Sequence, residues 1–447
     1  MNSVVPLCAA FLLVSTVMAQ EKPPEVPPAL REAANKYLDL GLKGDYAEAS
    51  KNYDETMTKV FPPDKLEATW KSLKAQVGAL RSRGEMRLEK RGGYSVVIVP
   101  CTFEKTELNA RIAFDSKSRI SGLGFVPAKD PAADYKSPAY VKAELFSEKE
   151  VKVGTGDWEL PATLTLPRGD GPFPALVLVH GSGSHDRDET IGPNKPFKDL
   201  AHGLASRGVA VLRYVKRTKQ YGQKMLGTKE QLTVKQEVTD DAVAAVDLLR
   251  HIEHVDPKKI FVLGHSLGGM MAPSIGKAEP QIAGLISLAG TSRKLDEVIV
   301  DQADYILSTS PDLGDEAKKT LTDMRQQSID LMKRDLSKEI PGEKLPLGMP
   351  IAYWRSIKEV DPPAIAKELK MPLLILQGGS DYQVTKKDFD RWKSVLGDRK
   401  EVEFKWYPKL SHLFIPVGDK ATPKDYEKPG HVSQEVVDDI ANWIKKA

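Results

Sequence analysis

The sequence predicts an α/β fold, a mostly parallel sheet with helices on both faces, preceded by a small α+β domain. Three observations carry this. From residue 144 onward, short apolar runs alternate with segments of helical period, as parallel strands joined by crossover helices require. Before residue 127 the order differs, with helical periods first and then strands of period two. Between residues 291 and 369 the alternation stops in a charged, helix-leaning stretch without a strand, which reads as a cap inserted over the sheet.

Taken in order, residues 1–19 read as a signal peptide. Residues 4–14 are mostly apolar, and Val17-Met18-Ala19 before Gln20 suits cleavage, so export to the periplasm or the exterior is expected. Cys8 sits in the apolar run without the small-residue context of a lipoprotein site. Once the leader is removed only Cys101 remains, which excludes an intramolecular disulfide and suits a small buried side chain in a strand. Residues 20–28 form a Pro-rich linker. The first domain, 29–126, opens with three helical stretches. Leu30, Ala34, Tyr37 and Leu38 mark the first. Tyr53 and Met57 mark the second. Leu66, Trp70, Leu73, Val77 and Leu80 mark the third, with Asp64 as its expected N-cap. Strands follow at 86–89, 94–103, 108–114 and 120–125, with turns at Gly92-Gly93 and near Asp115.

A linker is expected at 127–143, and the second domain runs over 144–447. Its strands are placed at 151–153, 160–166, 175–179, 209–214, from Ile260, and at 282–288, 371–376 and 402–407. Helices are expected at 197–205, over 238–252, and at the C-terminus after Ser433. Residues 216–234 read as a polar, basic loop. Hydrophobic content of 41% and charged content of 28% are ordinary for a globular chain. A net charge of +3 with few aromatics argues against nucleic-acid binding. No later stretch is apolar enough to span a membrane.

The chemistry centres on Gly264-His265-Ser266-Leu267-Gly268, directly after an apolar strand. This is the pattern of a nucleophile elbow, in which small residues flank a serine on a sharp strand-to-helix turn. A serine needs a base to take its proton, and that base needs a carboxylate to orient it. Asp381 follows the next-to-last strand and two glycines, and His412 follows the last strand, in the chain order that such a sheet requires. His431 is the rival base, with a capping or surface role as its alternative. Asp388 and Asp390 are expected to be solvated on the next helix. Backbone N–H groups of Leu267 and Ser182 are the expected oxyanion donors, the latter in the turn His180-Gly181-Ser182-Gly183. His185 to Glu189 matches no defined metal site and reads as a charged loop. His251 and His254 lack a third ligand. No metal or cofactor is called for. Arg187 or Arg217 could meet an acidic substrate group or simply form surface ion pairs.

These stretches, together with 186–189, 192–197, 211–214, 352–354 and 376–384, resemble exported bacterial esterases of the α/β-hydrolase superfamily, from Glu144 to the C-terminus. The resemblance implies the α/β-hydrolase fold with a helical cap and no cofactor. It implies carboxylesterase activity on short or medium acyl esters through Ser266, Asp381 and His412. An acyl-aminoacyl peptidase using the same triad is the alternative within the family, and a binding protein on an inactive hydrolase scaffold the alternative outside it. In such enzymes a residue like Trp354 lines the acyl pocket; its other reading is an anchor of the cap core. The small first domain is similar to cone-shaped α+β folds in element order.

Overall fold

The computed structural model describes residues 25–91, 93–226 and 232–447. Residues 1–24, which hold the expected leader with Cys8 and the first residues of the expected Pro-rich linker, lie outside the described residues, as does Gly92. The chain forms two compact units, Met1–Lys129 and Asp130–Ala447.

In the first unit, helices Pro28–Lys43, Tyr46–Ala49, Glu55–Val60 and Pro63–Val77 precede five strands. These are β1 (Leu80–Arg83), β2 (Arg87–Arg91), β3 (Tyr94–Phe103), β4 (Glu107–Phe114) and β5 (Ile120–Pro127). They pair antiparallel in the order β1-β3-β4-β5, with β2 also on β3. Leu66, Trp70, Val97, Val99, Ile112 and Phe114 share one core. Cys101 joins it at 2% exposure, and burial pushes its thiol pKa up. Two expectations need correction. Asp64 is not the N-cap; Pro62 holds that place with Pro63 at the first helical position, and Asp64 lies in the first turn, where its charge faces the helix dipole. Leu80 is not helical, because Gly78 at φ 79° ends the helix and starts β1.

The second unit is an eight-stranded sheet. Its strands are β6 (Phe146–Val153), β7 (Leu160–Pro167), β8 (Phe173–Val179), β9 (Ala210–Tyr214), β10 (Val255–His265), β11 (Gly284–Leu288), β12 (Leu373–Gly378) and β13 (Val402–Tyr407). The order is β13-β12-β11-β10-β8-β9-β7-β6. Strands β8 to β13 run parallel, while β7 pairs antiparallel with β6 and β9. The inner strands are apolar on both faces because both are covered. Val177, Val262 and Ile375 face the helix Asp240–Arg250, the elbow helix Leu267–Ala278 and the cap. Leu176, Leu263 and Leu374 face Pro196–Ala205 and Gln434–Lys446.

The cap between β11 and β12 supplies the helices Leu295–Thr309, Asp315–Lys333, Ile351–Lys358 and Pro362–Glu368. Within the segment expected as a basic loop, Arg217–Leu226 is helical; residues 227–231 lie outside the described residues. The expected interdomain linker is tied to the second unit. Tyr135 donates to Asp199 at 2.6 Å and Tyr140 to the Val432 carbonyl at 2.7 Å. Ser433 stands at the N-cap of the last helix without a side-chain capping bond. Among the described residues no helix is long and apolar enough to cross a membrane.

Candidate active site

The strand β10 delivers Ser266 into a turn at φ 54°, ψ −112°, a conformation that costs an L-residue about 1–3 kcal/mol. The flanking glycines are there for close approach. A Cβ on Gly264 would stand 2.0 Å from the Gly268 carbonyl oxygen, and one on Gly268 2.3 Å from that of Val179. Both contacts are with backbone that cannot move aside, so the elbow needs glycine at both places. The helix starting at Leu267 points its unbonded N–H groups toward the serine.

Asp381 lies just past β12. Its Oδ2 accepts from His412 Nδ1 at 2.7 Å and from Gln377 Nε2 at 3.1 Å. Its Oδ1 accepts the backbone N–H groups of Gln383 at 2.7 Å and Val384 at 3.1 Å. With Nδ1–H committed to the carboxylate, Nε2 of His412 is left with a lone pair, as a base requires. Gly378 and Gly379 do more than free the chain to turn. The loop after β13 lies directly on them, and a Cβ on Gly378 would come 2.4 Å from the Leu410 oxygen. Asp381 and His412 are both buried, at 6% and 4% exposure.

Ser182, Ser266 and Leu267 line one cavity of about 1140 Å³. Its far wall is the cap, through Leu295, Val298, Ile299, Met324, Ile351 and Tyr353. Among the described residues, the backbone N–H groups of Ser182 and Leu267 meet no protein acceptor. The five residues expected to carry catalysis thus gather at one end of the sheet.

The two expected substrate contacts do not line this cavity. Trp354 is fully buried in the main core, and the next position round its helix, Tyr353, takes the cavity wall instead. Arg187 donates to both oxygens of Glu150 at 2.6 Å and to Thr163, so its guanidinium is spent on the β6–β7 hairpin. Arg217 is likewise taken, by Asp241 and the face of Trp158. His431 sits against Asp199 at 3.2 Å, while it is His412 that meets Asp381. Asp388 is not solvated. It is 0% exposed, closes a capping box with Thr385, and accepts from Arg293 and Thr291. Asp390 pairs with Lys386 at the surface.

The segment 185–189 is the expected charged loop, and its charges are paired within the protein. Asp186 accepts Asp188 N–H, Thr190 N–H and the Thr190 hydroxyl, Asp188 pairs with Arg213, and Glu189 is 1% exposed. Glu189 Oε2 meets His265 Nδ1 at 2.9 Å without hydrogen-bond alignment. Burial alone would raise the Glu189 pKa, but His265 beside it holds the carboxyl down at about 2. Burial alone would lower the His265 pKa, and the Glu189 charge outweighs it. The other nitrogen of His265 donates to the His412 carbonyl oxygen at 3.0 Å, so the residue beside Ser266 braces His412. Burial lowers the His180 pKa to about 3, so this ring is neutral. Among the described residues, no three His, Cys, Asp or Glu side chains form a metal-binding group.

Residues 171–416 match the family model "Serine aminopeptidase, S33". Residues 34–123 match a family described as a protein of unknown function (DUF3887). Esterase EstD of Thermotoga maritima is 40% identical over 377 residues, covering 84% of this chain and 86% of its own. Phospholipase YtpA of Bacillus subtilis is 24% identical over 186 residues, covering 40% of this chain and 69% of its own. Among solved structures, Est1E from Butyrivibrio proteoclasticus superposes with a TM-score of 0.44 at 17% identity, over 67% of this chain and 99% of that one. With a nucleophile elbow, a buried Asp–His pair and a cap on a mostly parallel sheet, the chain belongs to the serine aminopeptidase S33 family of α/β-hydrolases.

Proposed function

We propose that the protein is a carboxylesterase that cleaves acyl esters through an acyl-enzyme on Ser266. The observation that carries this is Ser266 on its elbow in the wall of one cavity with Ser182 and Leu267, next to the buried Asp381–His412 pair, which is tied to the elbow through His265. Ser266 Oγ attacks the ester carbonyl carbon while His412 Nε2 takes its proton. Charge develops on the carbonyl oxygen, where the Ser182 and Leu267 N–H groups stabilise it. The carbon–oxygen bond to the alcohol then breaks, and His412 returns the proton to the leaving oxygen. Water repeats the sequence and frees the acid. The relative of highest identity reported above is named an esterase, which supports the same reading.

A cavity of about 1140 Å³ with a mostly aliphatic cap wall suits a medium acyl chain as well as a short one. A panel of p-nitrophenyl esters of rising chain length, set against an aminoacyl p-nitroanilide, tests this. Turnover is expected on the esters, and Ile299→Trp should move the optimum to shorter chains by filling the cap wall. Faster cleavage of the anilide than of every ester would replace the esterase reading by a peptidase one.

We also propose export. The apolar run at 4–14 and the small-residue site ending at Ala19 support it. N-terminal sequencing of protein from the periplasmic fraction should start at Gln20; accumulation in the cytoplasm with Met1 intact would refute it.

A further inference from the structure

The turn that carries Ser182 is held by buried charges that the triad does not use. Gly181 N–H donates to Glu189 Oε1 at 2.6 Å, and the Gly181 carbonyl oxygen accepts from Lys216 Nζ at 2.7 Å. Lys216 is 2% exposed, and its ammonium is matched by Glu237, 5% exposed, at 2.8 Å. Glu237 sits on the π-turn Lys235–Thr239 and lines the substrate cavity. Gly181 itself lies against the nucleophile, since a Cβ there would be 3.2 Å from Ser266 Cβ.

The Gly181–Ser182 peptide is trans, so its C=O and N–H point in opposite directions within one plane. Fixing the oxygen on Lys216 therefore fixes the Ser182 N–H in the reverse direction. Resting on the esterase reading, we propose that Lys216, held by Glu237, is a positioning residue that aims the Ser182 N–H at the developing oxyanion.

Two physical effects follow. The first is orientation: a donor already pointing at the oxyanion needs no rearrangement as charge develops. The second is polarisation: a full positive charge on the carbonyl end of a peptide strengthens its N–H as a donor. Stability does not explain the arrangement. A buried ion pair adds little over an apolar pair of similar volume, and desolvating an ammonium is costly. An aliphatic residue at position 216 would fill the space, but it would leave the Gly181 oxygen free to turn.

The test uses the full chain and the double variant Lys216→Met/Glu237→Gln, which leaves no unpaired buried charge. Three quantities are measured: kcat and KM on a p-nitrophenyl ester, inhibition by an alkyl trifluoromethyl ketone, and active sites counted with a fluorophosphonate. The ketone forms a hemiketal whose oxygen occupies the oxyanion position, so its affinity reports transition-state binding. Losing an oxyanion donor costs about 10²–10³-fold in kcat, and losing only its aim should cost roughly 10–100-fold. KM should stay within about two-fold, ketone affinity should fall in step with kcat/KM, and Lys216→Arg should recover part of the loss.

A double variant with wild-type kcat per titrated site overturns the proposal. So does a loss that appears in KM while ketone affinity holds. Should the double variant not fold, Glu237→Gln alone, which loosens the amine without removing it, is read by the same criteria. Wild-type protein that turns over none of the esters would defeat the esterase reading instead, so the two failures are distinguishable.

Discussion

Replacing Ser266 with alanine is expected to lower kcat on a p-nitrophenyl ester by about 10⁴-fold or more and to abolish fluorophosphonate labelling. The hydroxyl is the only atom removed. Alanine keeps the Cβ, so the φ of 54° remains as strained as before, and the elbow glycines still meet the same backbone oxygens. Thermal stability should therefore stay within about 1 kcal/mol of wild type, as for other substitutions that leave packing intact. Residual rate comes from the backbone donors and from binding alone. A variant that still labels, or that keeps a burst of released nitrophenol, would place the nucleophile elsewhere.

Asp381→Asn should cost about 10⁴-fold in kcat with little change in melting temperature, and the bonds around Asp381 say why. Its Oδ1 is held by two backbone N–H groups, from Gln383 and Val384. In asparagine the amide oxygen must take that place, because an NH2 group there would face two donors. The NH2 then occupies the Oδ2 position, where it faces His412 Nδ1 and the Gln377 side-chain amide. The imidazole responds by carrying its proton on Nε2, the tautomer that cannot take a proton from Ser266. Fluorophosphonate labelling should slow in proportion. An Asn variant within ten-fold of wild type would mean that Asp381 does not set the tautomer.

Much of the site was legible because local rules operate there. The strands β3 and β13 begin and end where period two and β-branched content place them, at Tyr94–Phe103 and Val402–Tyr407. The elbow was legible because backbone contact leaves no choice but glycine. What escaped the sequence depends on partners far along the chain. Glu189, Lys216 and Asp388 carry charge in loops or at helix ends, where charge is ordinarily solvated. Each is buried because His265, Glu237 or Arg293 arrives from another segment to meet it. The cap itself was legible, but the choice between the two readings of Trp354 was not, for a related reason. Tyr353 and Trp354 are neighbours on one helix, and which of them faces the cavity is decided by how the cap helices pack, not by any local period.

The sheet order has a consequence for how the chain acquires activity. Ser266 hangs from β10, Asp381 from β12 and His412 from β13, and β11 separates the first from the other two. The whole cap lies between β11 and β12 in sequence, so its entire length must be looped out before β12 can join its parallel neighbour. Closing so long a loop costs entropy before the pairing rewards it, and parallel pairing of this kind is slow. A refolding chain can complete the elbow and the apolar faces around β8 to β11 while Asp381 and His412 are still unplaced. Secondary structure then recovers ahead of turnover, and regained esterase activity times the docking of the last two strands.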